Sequence, residues 1–529
     1  MFCTSVTLCP PARPDKSVPC PVVLLSPLRQ RRASGTCGPV VTVVAPREET
    51  TMYDVVIVGA GPVGLRLAGE VGLAGGSVLV LEKEPEGQSP WRSRPLGMRG
   101  LSAASIQAFA RRGLLDALTG APDTEEAPAG SRRVGHFAGI MLDGSGLDTP
   151  PYQLPSGLPG MLMTSLASVG SVLTERAVKL GVELRYDVAV DGVTQYDDHV
   201  VVRAGADEFA GRWVVGCDGG RSVVRGQAGF EFVGTAPQFT GYVMQATLAD
   251  GEKLRPGFNL TPAGMYLVMH ADGHVAMMDF DGGAFDRTQE LTREHLQSVL
   301  RRVSETDVTV AEVRLASTFT DRAMQTTTYR NGRVLLAGDA AHIHAPLGGQ
   351  GLNTGLGDAM NLGWKLAAVA RGASEELVDT YTTERHPIGE WVLDWTRAQA
   401  LVMKPGPNAA ATQRLVRDLL LTKDGTSYVY SKLSGLAFQY EVGDHPFAGR
   451  NAPDFEFGDG TRLADLTQDG EPLLLDFTGD LTPPGGRIRY VAAHPLDDLG
   501  LKAVLIRPDG VIVWADDPST LDAAIGRWF

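Results

Sequence analysis

The segment Tyr53-Asp-Val-Val-Ile-Val58, followed by Gly59-Ala-Gly61-Pro-Val-Gly64, decides the fold of this chain. The first six residues are a β-branched run typical of a buried strand, and apolar residues continue at helical spacing after the glycines. Gly59 permits a tight turn, Gly61 lets the backbone approach a phosphate, and Gly64 lets the helix pack closely on the strand. The segment predicts a strand, a glycine-rich turn and a helix.

A second strand and an acidic residue complete this unit. Ser77-Val-Leu-Val-Leu81 predicts the strand, and Glu82 follows it directly, about twenty residues after the glycine turn. A carboxylate at this position accepts hydrogen bonds from ribose hydroxyls and repels a 2′-phosphate. The unit therefore predicts a dinucleotide site that favours the adenosine of FAD or NAD over that of NADP.

Two further segments combine a short apolar strand, a polar turn and the start of a helix. The first turn holds Asp218 and Arg225, and the second holds Gly338 and Asp339 before a helix that begins near Gly351. Three such segments in this order resemble the class A flavoprotein monooxygenases, the para-hydroxybenzoate hydroxylase superfamily, over about residues 52 to 400. The resemblance implies an α/β fold of the glutathione-reductase type, with a Rossmann-like FAD-binding domain and an inserted β-sheet substrate domain.

The resemblance also implies which residues hold the cofactor. Arg94 would contact FAD and assist the nicotinamide cofactor, Asp218 and Arg225 would serve both FAD and NAD(P)H, and backbone amides near Gly351 would face the flavin pyrimidine. Helix N-terminal amides stabilise the negative charge of a reduced flavin. No residue is assigned with certainty as catalytic. The implied FAD contacts are Gly59, Gly61, Gly64, Glu82, Arg94, Asp218, Arg225, Gly338, Asp339, Gly351, Leu352 and Asn353, and Pro346 would lie near the substrate.

One departure from the family pattern bears on FAD affinity. Leu166 and Gly170 stand where many relatives have a glutamine and, four residues later, a glutamate. This predicts weaker FAD binding than in those relatives. His342 and His344 lack a third metal ligand nearby in sequence, which favours a structural role for both.

The chain divides into several regions. Residues 1–51 are proline-rich and without periodicity, which predicts a disordered extension and a functional chain that begins at Met52. Residues 52–400 would form the FAD-binding domain, interleaved with the substrate domain within 151–330, whose pocket Phe258, Met265, Tyr266, Met269 and Phe280 could line. Residues 401–446 would form a helical linker. Residues 447–529 resemble the thioredoxin-like C-terminal domain of phenol-hydroxylase-type members and aromatic polyketide hydroxylases, but contain no cysteine, so dithiol chemistry is excluded.

Composition excludes several classes of protein. There are 48 Lys and Arg against 62 Asp and Glu, a formal charge of -14, so a nucleic acid partner is disfavoured. The longest uncharged stretch, residues 149–174, contains four prolines and predicts no membrane helix. Cys217 is the only cysteine after residue 37, so neither a disulfide framework nor a cysteine-rich metal site is expected. We expect a cytoplasmic protein, and the sequence leaves open whether it forms a homodimer.

The resemblance implies an NAD(P)H-dependent monooxygenase. NADPH or NADH would reduce FAD, and one atom of O₂ would pass through a flavin C4a-(hydro)peroxide to a phenolic or aromatic polyketide-like substrate, giving hydroxylation. Three alternatives remain open at this point: Baeyer-Villiger insertion into a polycyclic ketone, an oxygen-independent flavin reductase or dehydrogenase, and a flavin-free small-molecule binding protein. Oxygen uptake that depends on the substrate separates the oxygenases from the other two.

Overall fold

A computed structural model describes residues 51–529 apart from residues 88, 127–132 and 149. The predicted disordered extension, except for its last residue, lies outside the described residues. The described residues form one compact unit. No helix in the described part of the chain is long and apolar enough to cross a membrane.

The described residues contain the following strands and helices. The strands are β1 (Met52–Val58), β2 (Val78–Leu81), β3 (Met98–Ser102), β4 (Glu125–Glu126), β5 (Arg133–Phe137), β6 (Ile140–Asp143), β7 (Met161–Ser165), β8 (Glu183–Arg185), β9 (Gly192–Gln195), β10 (Val200–Ala204), β11 (Asp207–Gly216), β12 (Phe232–Thr235), β13 (Thr240–Leu248), β14 (Gly257–Thr261), β15 (Gly264–Met269), β16 (His274–Asp279), β17 (Val310–Thr320), β18 (Ala323–Thr326), β19 (Arg330–Asn331), β20 (Val334–Leu336), β21 (His342–Ile343), β22 (Leu473–Asp476), β23 (Arg489–Ala492), β24 (Ala503–Ile506) and β25 (Ile512–Ala515). The α-helices are α1 (Pro62–Leu73), α2 (Ala103–Ala110), α3 (Leu115–Thr119), α4 (Leu166–Lys179), α5 (Val223–Gln227), α6 (Arg293–Ser304), α7 (Gln350–Ala370), α8 (Glu376–Met403), α9 (Ala409–Leu420), α10 (Lys423–Leu433), α11 (Leu463–Leu466) and α12 (Leu521–Trp528).

The largest sheet places the predicted cofactor motifs side by side. Its main path is β19-β20-β11-β1-β2-β8, and β1 is parallel to both β2 and β11. The order reverses at β1, so a crevice opens beyond the carboxyl ends of β1, β2 and β11, which is where α/β sheets bind ligands. Helices α1 and α7 pack on this sheet, with Leu362 and Leu366 of α7 fully buried. The predicted α/β fold is confirmed.

A second sheet has two chemically different faces. Its strands are antiparallel in the order β14-β15-β16-β13-β17. One face packs on α6, whose buried residues Leu296, Val299, Leu300 and Val303 recur at helical spacing. The other face joins the aromatic cluster, a group of buried and half-buried apolar side chains also drawn from β5, β6, the turn near Leu347 and helices α8–α10.

The last part of the chain forms a separate small sheet. Its order is β23-β22-β24-β25, with β22 parallel to β23 and the other pairs antiparallel. Helix α12 packs on this sheet through Leu521 and Trp528. It lies in the region for which the sequence predicts a thioredoxin-like domain, and it packs against α7 through Trp364.

Candidate active site

The three glycines of the first turn have different structural roles. Gly59 has φ 108°, and a Cβ there would lie 2.5 Å from the Cys217 carbonyl oxygen. A Cβ on Gly64 would lie 2.0 Å from the Gly59 carbonyl oxygen. A Cβ on Gly61 would meet nothing within 4 Å. Gly59 and Gly64 are therefore required by the protein's own packing, whereas the space beside Gly61 is open to a ligand.

Glu82 holds the glycine turn and lines the adjacent cleft. Its Oε2 accepts a hydrogen bond from the Ala60 N–H at 2.7 Å, and its Oε1 accepts one from the Glu84 N–H at 3.0 Å. The cleft has a volume of about 810 Å³ and is also lined by Gly61, Asp218 and Arg92. Each carboxylate oxygen has a second lone pair, so Glu82 can still accept a bond from a ligand hydroxyl.

Asp218 has one oxygen that the protein does not use. Its Oδ2 accepts hydrogen bonds from the Val223 and Val224 N–H groups at 2.6 and 3.1 Å, at the start of α5. Its Oδ1 is buried and has no partner among the described residues. Buried polar atoms are nearly always hydrogen-bonded in folded proteins. This oxygen therefore indicates a ligand donor in the cleft.

Arg225 connects two of the predicted motifs. Its guanidinium donates to the carbonyl oxygens of Gly220 and Ala340, both at 2.9 Å, and lies 3.9 Å from the centre of the Phe232 ring. Burial lowers the pKa of Arg225, and the nearby Asp218 opposes that shift. These contacts hold the Asp218 turn against the Asp339 turn. The predicted contact of Arg225 with the cofactor stays a prediction.

The Gly338–Asp339 turn is fixed by a buried network that the sequence did not reveal. Gly338 has φ 63°, and its N–H donates to Oδ2 of the fully buried Asp358 at 3.0 Å. Asp358 also pairs with His342 Nε2 and Arg385 Nε, both at 2.8 Å. Burial alone would raise the pKa of Asp358, but Arg385 and His342 hold it below its usual value. The structural interpretation of His342 agrees with this geometry. Asp339 itself is exposed, and its carboxylate lies close enough to Arg99 and His344 to oppose the lowering of their pKa values by burial.

The start of α7 presents free backbone amides. Gly348 and Gly349 have φ 75° and 66°, and the helix begins at Gln350. The first N–H groups of a helix, here including those of Gly351 and Leu352, have no acceptor within the helix. The Asn353 side chain accepts bonds from the Ser102 N–H at 2.9 Å and the Ser105 hydroxyl at 2.7 Å, and donates to the Gly100 and Gly349 carbonyls. The Asn353 side chain is therefore fully used within the protein, where it joins the start of α7 to β3 and α2.

The predicted motifs meet around Val63, at the start of α1. A Cβ on Gly338 would lie 3.0 Å from Val63 Cγ2, and one on Gly355 of α7 would lie 2.6 Å from the same atom. The Gly59 turn touches Cys217, next to Asp218. The glycine turn, the Asp218 turn, the Asp339 turn and the start of α7 therefore form one continuous site. Pro346 is exposed, in the loop that leads into α7.

Arg94 lies in a different cavity. Its guanidinium pairs with Asp272 at 3.0 Å and with Glu125. The hydrogen bonds to these two carboxylates raise the pKa of Arg94. The cavity has a volume of about 540 Å³ and lies at the end of the second sheet, where Arg314 also lines it. Arg92, which sequence analysis did not select, lines the cleft beside Gly61 instead.

The sheet residues named as pocket candidates do not all face the same way. Phe258, Met265 and Phe280 belong to the aromatic cluster. Tyr266 lies on the opposite face, against α6, and Met269 is exposed at the end of β15. Side chains alternate across a strand, so consecutive residues such as Met265 and Tyr266 cannot line one pocket.

The departure at Leu166 and Gly170 falls at the start of α4. The Leu166 N–H donates to the Gly97 carbonyl at 3.0 Å, and a Cβ on Gly170 would meet nothing within 4 Å. The expected weakening of FAD binding stays a prediction.

Among the described residues, no group of three or more His, Cys, Asp or Glu side chains could hold a metal ion.

The fold and the converging turns define a dinucleotide-binding flavoprotein domain. Residues 52–396 match the family of FAD binding domains, and residues 445–529 match the C-terminal domain of aromatic-ring hydroxylases. The chain is 42% identical over 496 residues to a protein of Claviceps purpurea named as a monooxygenase, covering 90% of this chain and 97% of that protein. It is 38% identical to the rifampicin monooxygenase of Streptomyces venezuelae, covering 90% and 99%.

A solved structure shares the fold. The anhydrotetracycline hydroxylase OxyS from Streptomyces rimosus superposes with a TM-score of 0.78 at 34% identity, covering 90% of this chain and 99% of that one. The chain belongs to the FAD-dependent aromatic monooxygenases. The predicted recognition, the FAD cofactor and the oxidoreductase class are confirmed.

Proposed function

We propose that this chain is an NAD(P)H-dependent FAD monooxygenase that hydroxylates a phenolic or aromatic polyketide-like substrate. The observation that supports it most is the convergence of the Gly59, Asp218 and Asp339 turns with the start of α7 around Val63. Relatives named as acting on rifampicin and anhydrotetracycline, both matched along nearly their whole length, favour a large polycyclic substrate.

The residues present suit FAD. The open space beside Gly61 and the N-terminus of α1 would hold the pyrophosphate, since helix N-termini favour anions. Glu82 would accept a bond from the adenosine ribose, and the partnerless Asp218 Oδ1 from another cofactor hydroxyl. Asp339 would hold the ribityl chain. When bound, FAD supplies the hydride transfer and the activation of O₂.

The start of α7 would control the charge on the flavin. The free amides of Gly351 and Leu352 would face its pyrimidine edge, where they stabilise negative charge by about 0.3–1 kcal/mol, and up to about 2 kcal/mol when partly buried. Asn353 keeps these amides in place because its side chain is bonded to β3 and α2. This contribution comes from the fixed position of the helix and requires no side chain to move.

The aromatic cluster would receive the substrate. Phe258, Met265 and Phe280 extend from the sheet towards the region of Leu347, one residue beyond Pro346. The rings of Phe258 and Phe280 are suited to stacking on a flat aromatic substrate. An apolar lining also excludes water from the reacting atoms, which suppresses unproductive side reactions.

NADPH or NADH would approach at the Arg94 cavity. Arg94 and Arg314 provide positive charge there for the phosphates of a dinucleotide. Asp272 and Glu125 already neutralise Arg94, so the dinucleotide must compete with two carboxylates for it. We expect binding in this cavity to be transient and sensitive to salt. A homodimer and a cytoplasmic location stay predictions.

The test is oxygen-dependent turnover of the purified holoenzyme. We expect yellow protein, oxidation of NADPH or NADH that accelerates with an aromatic substrate, and a product heavier by one oxygen atom that derives from isotope-labelled O₂. A colourless protein that takes up no FAD would contradict the proposal. So would substrate oxidation that continues at the same rate without oxygen.

A further inference from the structure

A histidine lies at the border of the aromatic cluster. His136 is on β5, which packs against the turn Leu347–Gly349 that precedes α7. Its ring lies 4.4 Å from the ring of Phe258, on the second sheet. The ring of the neighbouring Phe137 contacts Trp395, also in this cluster, with the ring centres 4.8 Å apart. His136 therefore brings a polar group to the apolar sheet face that we assign to the substrate.

The surroundings of His136 fix which of its nitrogens carries a proton. Nδ1 accepts a long hydrogen bond from the Gly139 N–H at 3.4 Å. A neutral imidazole with an accepting Nδ1 carries its proton on Nε2. Burial lowers the pKa of His136 to about 4, so the ring is neutral at physiological pH. Nε2–H has no acceptor among the described residues, and the ring is only partly enclosed.

We propose that His136 positions the substrate by donating a hydrogen bond from Nε2–H to a carbonyl oxygen of an aromatic polyketide. This inference rests on the proposed function, whose substrate class it narrows to aromatic compounds that carry a ring carbonyl. A neutral carbonyl suits this site because an apolar lining makes the burial of an unpaired phenolate much more costly. An unmatched N–H likewise disfavours a ligand that offers only hydrocarbon at this position.

The test compares two probes in the oxidised holoenzyme. One is a dihydroxyanthraquinone, and the other is the dihydroxyanthracene that lacks its ring carbonyls. Binding is measured from the change in flavin absorbance, which requires no turnover. We expect the wild type to bind the quinone more tightly. His136→Phe keeps the ring on Phe258 and removes the donor, so it should weaken quinone binding about tenfold and anthracene binding less than twofold.

Further variants separate hydrogen bonding from packing. His136→Asn places its amide near the Nδ1 position and should behave like His136→Phe. His136→Gln reaches the Nε2 position with an N–H and should restore quinone binding to within about threefold of the wild type. If His136→Phe does not fold, the comparison of the Asn and Gln variants gives the same result. His295→Phe, on the opposite face against Tyr242, is the matched control and should leave the ratio of the two affinities unchanged.

Several outcomes would overturn the assignment. If the wild type binds both probes equally well, or if His136→Phe weakens the binding of both probes to the same extent, the assignment is refuted. It is also refuted if His136→Gln binds the quinone no more tightly than His136→Asn, or if His295→Phe also changes the ratio of the two affinities. Oxygen uptake by the wild type is measured separately. If the wild type shows no oxygen uptake that depends on the substrate, the monooxygenase proposal is refuted. The binding comparison still decides the role of His136.

Discussion

Substitution of single glycines in the first turn separates cofactor contact from protein packing. Gly61→Ala adds a methyl group that meets nothing in the protein within 4 Å, whereas Gly64→Ala adds one 2.0 Å from the Gly59 carbonyl oxygen. Neither residue has a positive φ that would itself oppose alanine. The two variants therefore differ in what the new methyl group meets.

The expected magnitudes follow from these distances. Overpacking of a fixed interior costs about 1–3 kcal/mol and occasionally more, and the obstacle to Gly64→Ala is backbone, so we expect about 3 kcal/mol. Gly61→Ala should change the free energy of unfolding of the FAD-free protein by less than about 0.5 kcal/mol. Because its methyl group occupies the space assigned to the pyrophosphate, it should weaken FAD binding at least tenfold, or about 1.4 kcal/mol.

The assay has two readouts and a control in the same helix. Urea unfolding of the FAD-free protein gives stability, and titration of flavin fluorescence gives the FAD dissociation constant. Gly69→Ala is the control, since its Cβ would lie 3.9 Å from Arg176 Cγ, an ordinary contact. It should stabilise the helix by about 0.5–1 kcal/mol and leave FAD affinity unchanged.

The reasoning is refuted if Gly61→Ala binds FAD as tightly as the wild type. In that case the Gly61 amide does not face the cofactor. It is also refuted if Gly64→Ala is as stable as the wild type, because the close approach of α1 to β1 would then not be required.

Four further predictions follow from other parts of the structure. Asp339→Ala should leave the stability of the FAD-free protein within about 0.5 kcal/mol of the wild type and weaken FAD binding about tenfold, as measured by fluorescence titration; unchanged affinity would contradict its placement on the ribityl chain. Arg94→Ala should raise the KM for NADPH or NADH about fivefold with little change in FAD content, and identical steady-state kinetics would dismiss that role. Arg507→Met should destabilise the protein by about 3–5 kcal/mol in urea, because it leaves the buried carboxylate of Glu384 without its bidentate partner. Lys365→Met should cost less, because Glu384 then keeps Arg507. Equal costs would show that the pair of Arg507 and Glu384 is not the dominant contact. The pKa of His136 falls from 6.5 to about 4 on folding, so the unfolded chain takes up the proton first and stability decreases as pH drops from 6.5 towards 4. At about 1.4 kcal/mol per pH unit the loss reaches about 3 kcal/mol, and His136→Phe should lack this part of the acid sensitivity in urea unfolding at a series of pH values.

The parts of the site that sequence analysis predicted are those encoded within a few neighbouring residues. The β-branched run before Gly59, the glycine spacing up to Gly64 and the acidic residue after β2 specify a strand, a turn and a helix through local sterics. The helix near Gly351 follows from the same kind of local pattern, and its residues Leu362 and Leu366 are buried.

What sequence analysis missed depends on residues far apart in the chain. Asp358 and Arg385 are 27 residues apart, and Glu384 and Arg507 are 123 residues apart, yet both pairs are buried. The sequence shows these charges but not which of them meet, because that depends on how α7, α8 and the C-terminal unit pack. Arg225 illustrates the same limit, since its motif predicts a cofactor contact but does not show that its guanidinium also joins two turns that are distant in the sequence.

The sequence by itself determined the α/β class, the FAD-binding turn and the absence of cysteines in the C-terminal unit, because spacing and residue type act over a few residues. Only the tertiary structure decided that Met265 and Tyr266 face opposite sides of a sheet, that Arg94 and Arg92 lie in different cavities, and that His136 reaches the aromatic cluster. The physical reason is that burial and pairing depend on which surfaces come into contact, and distant segments of the chain supply those surfaces.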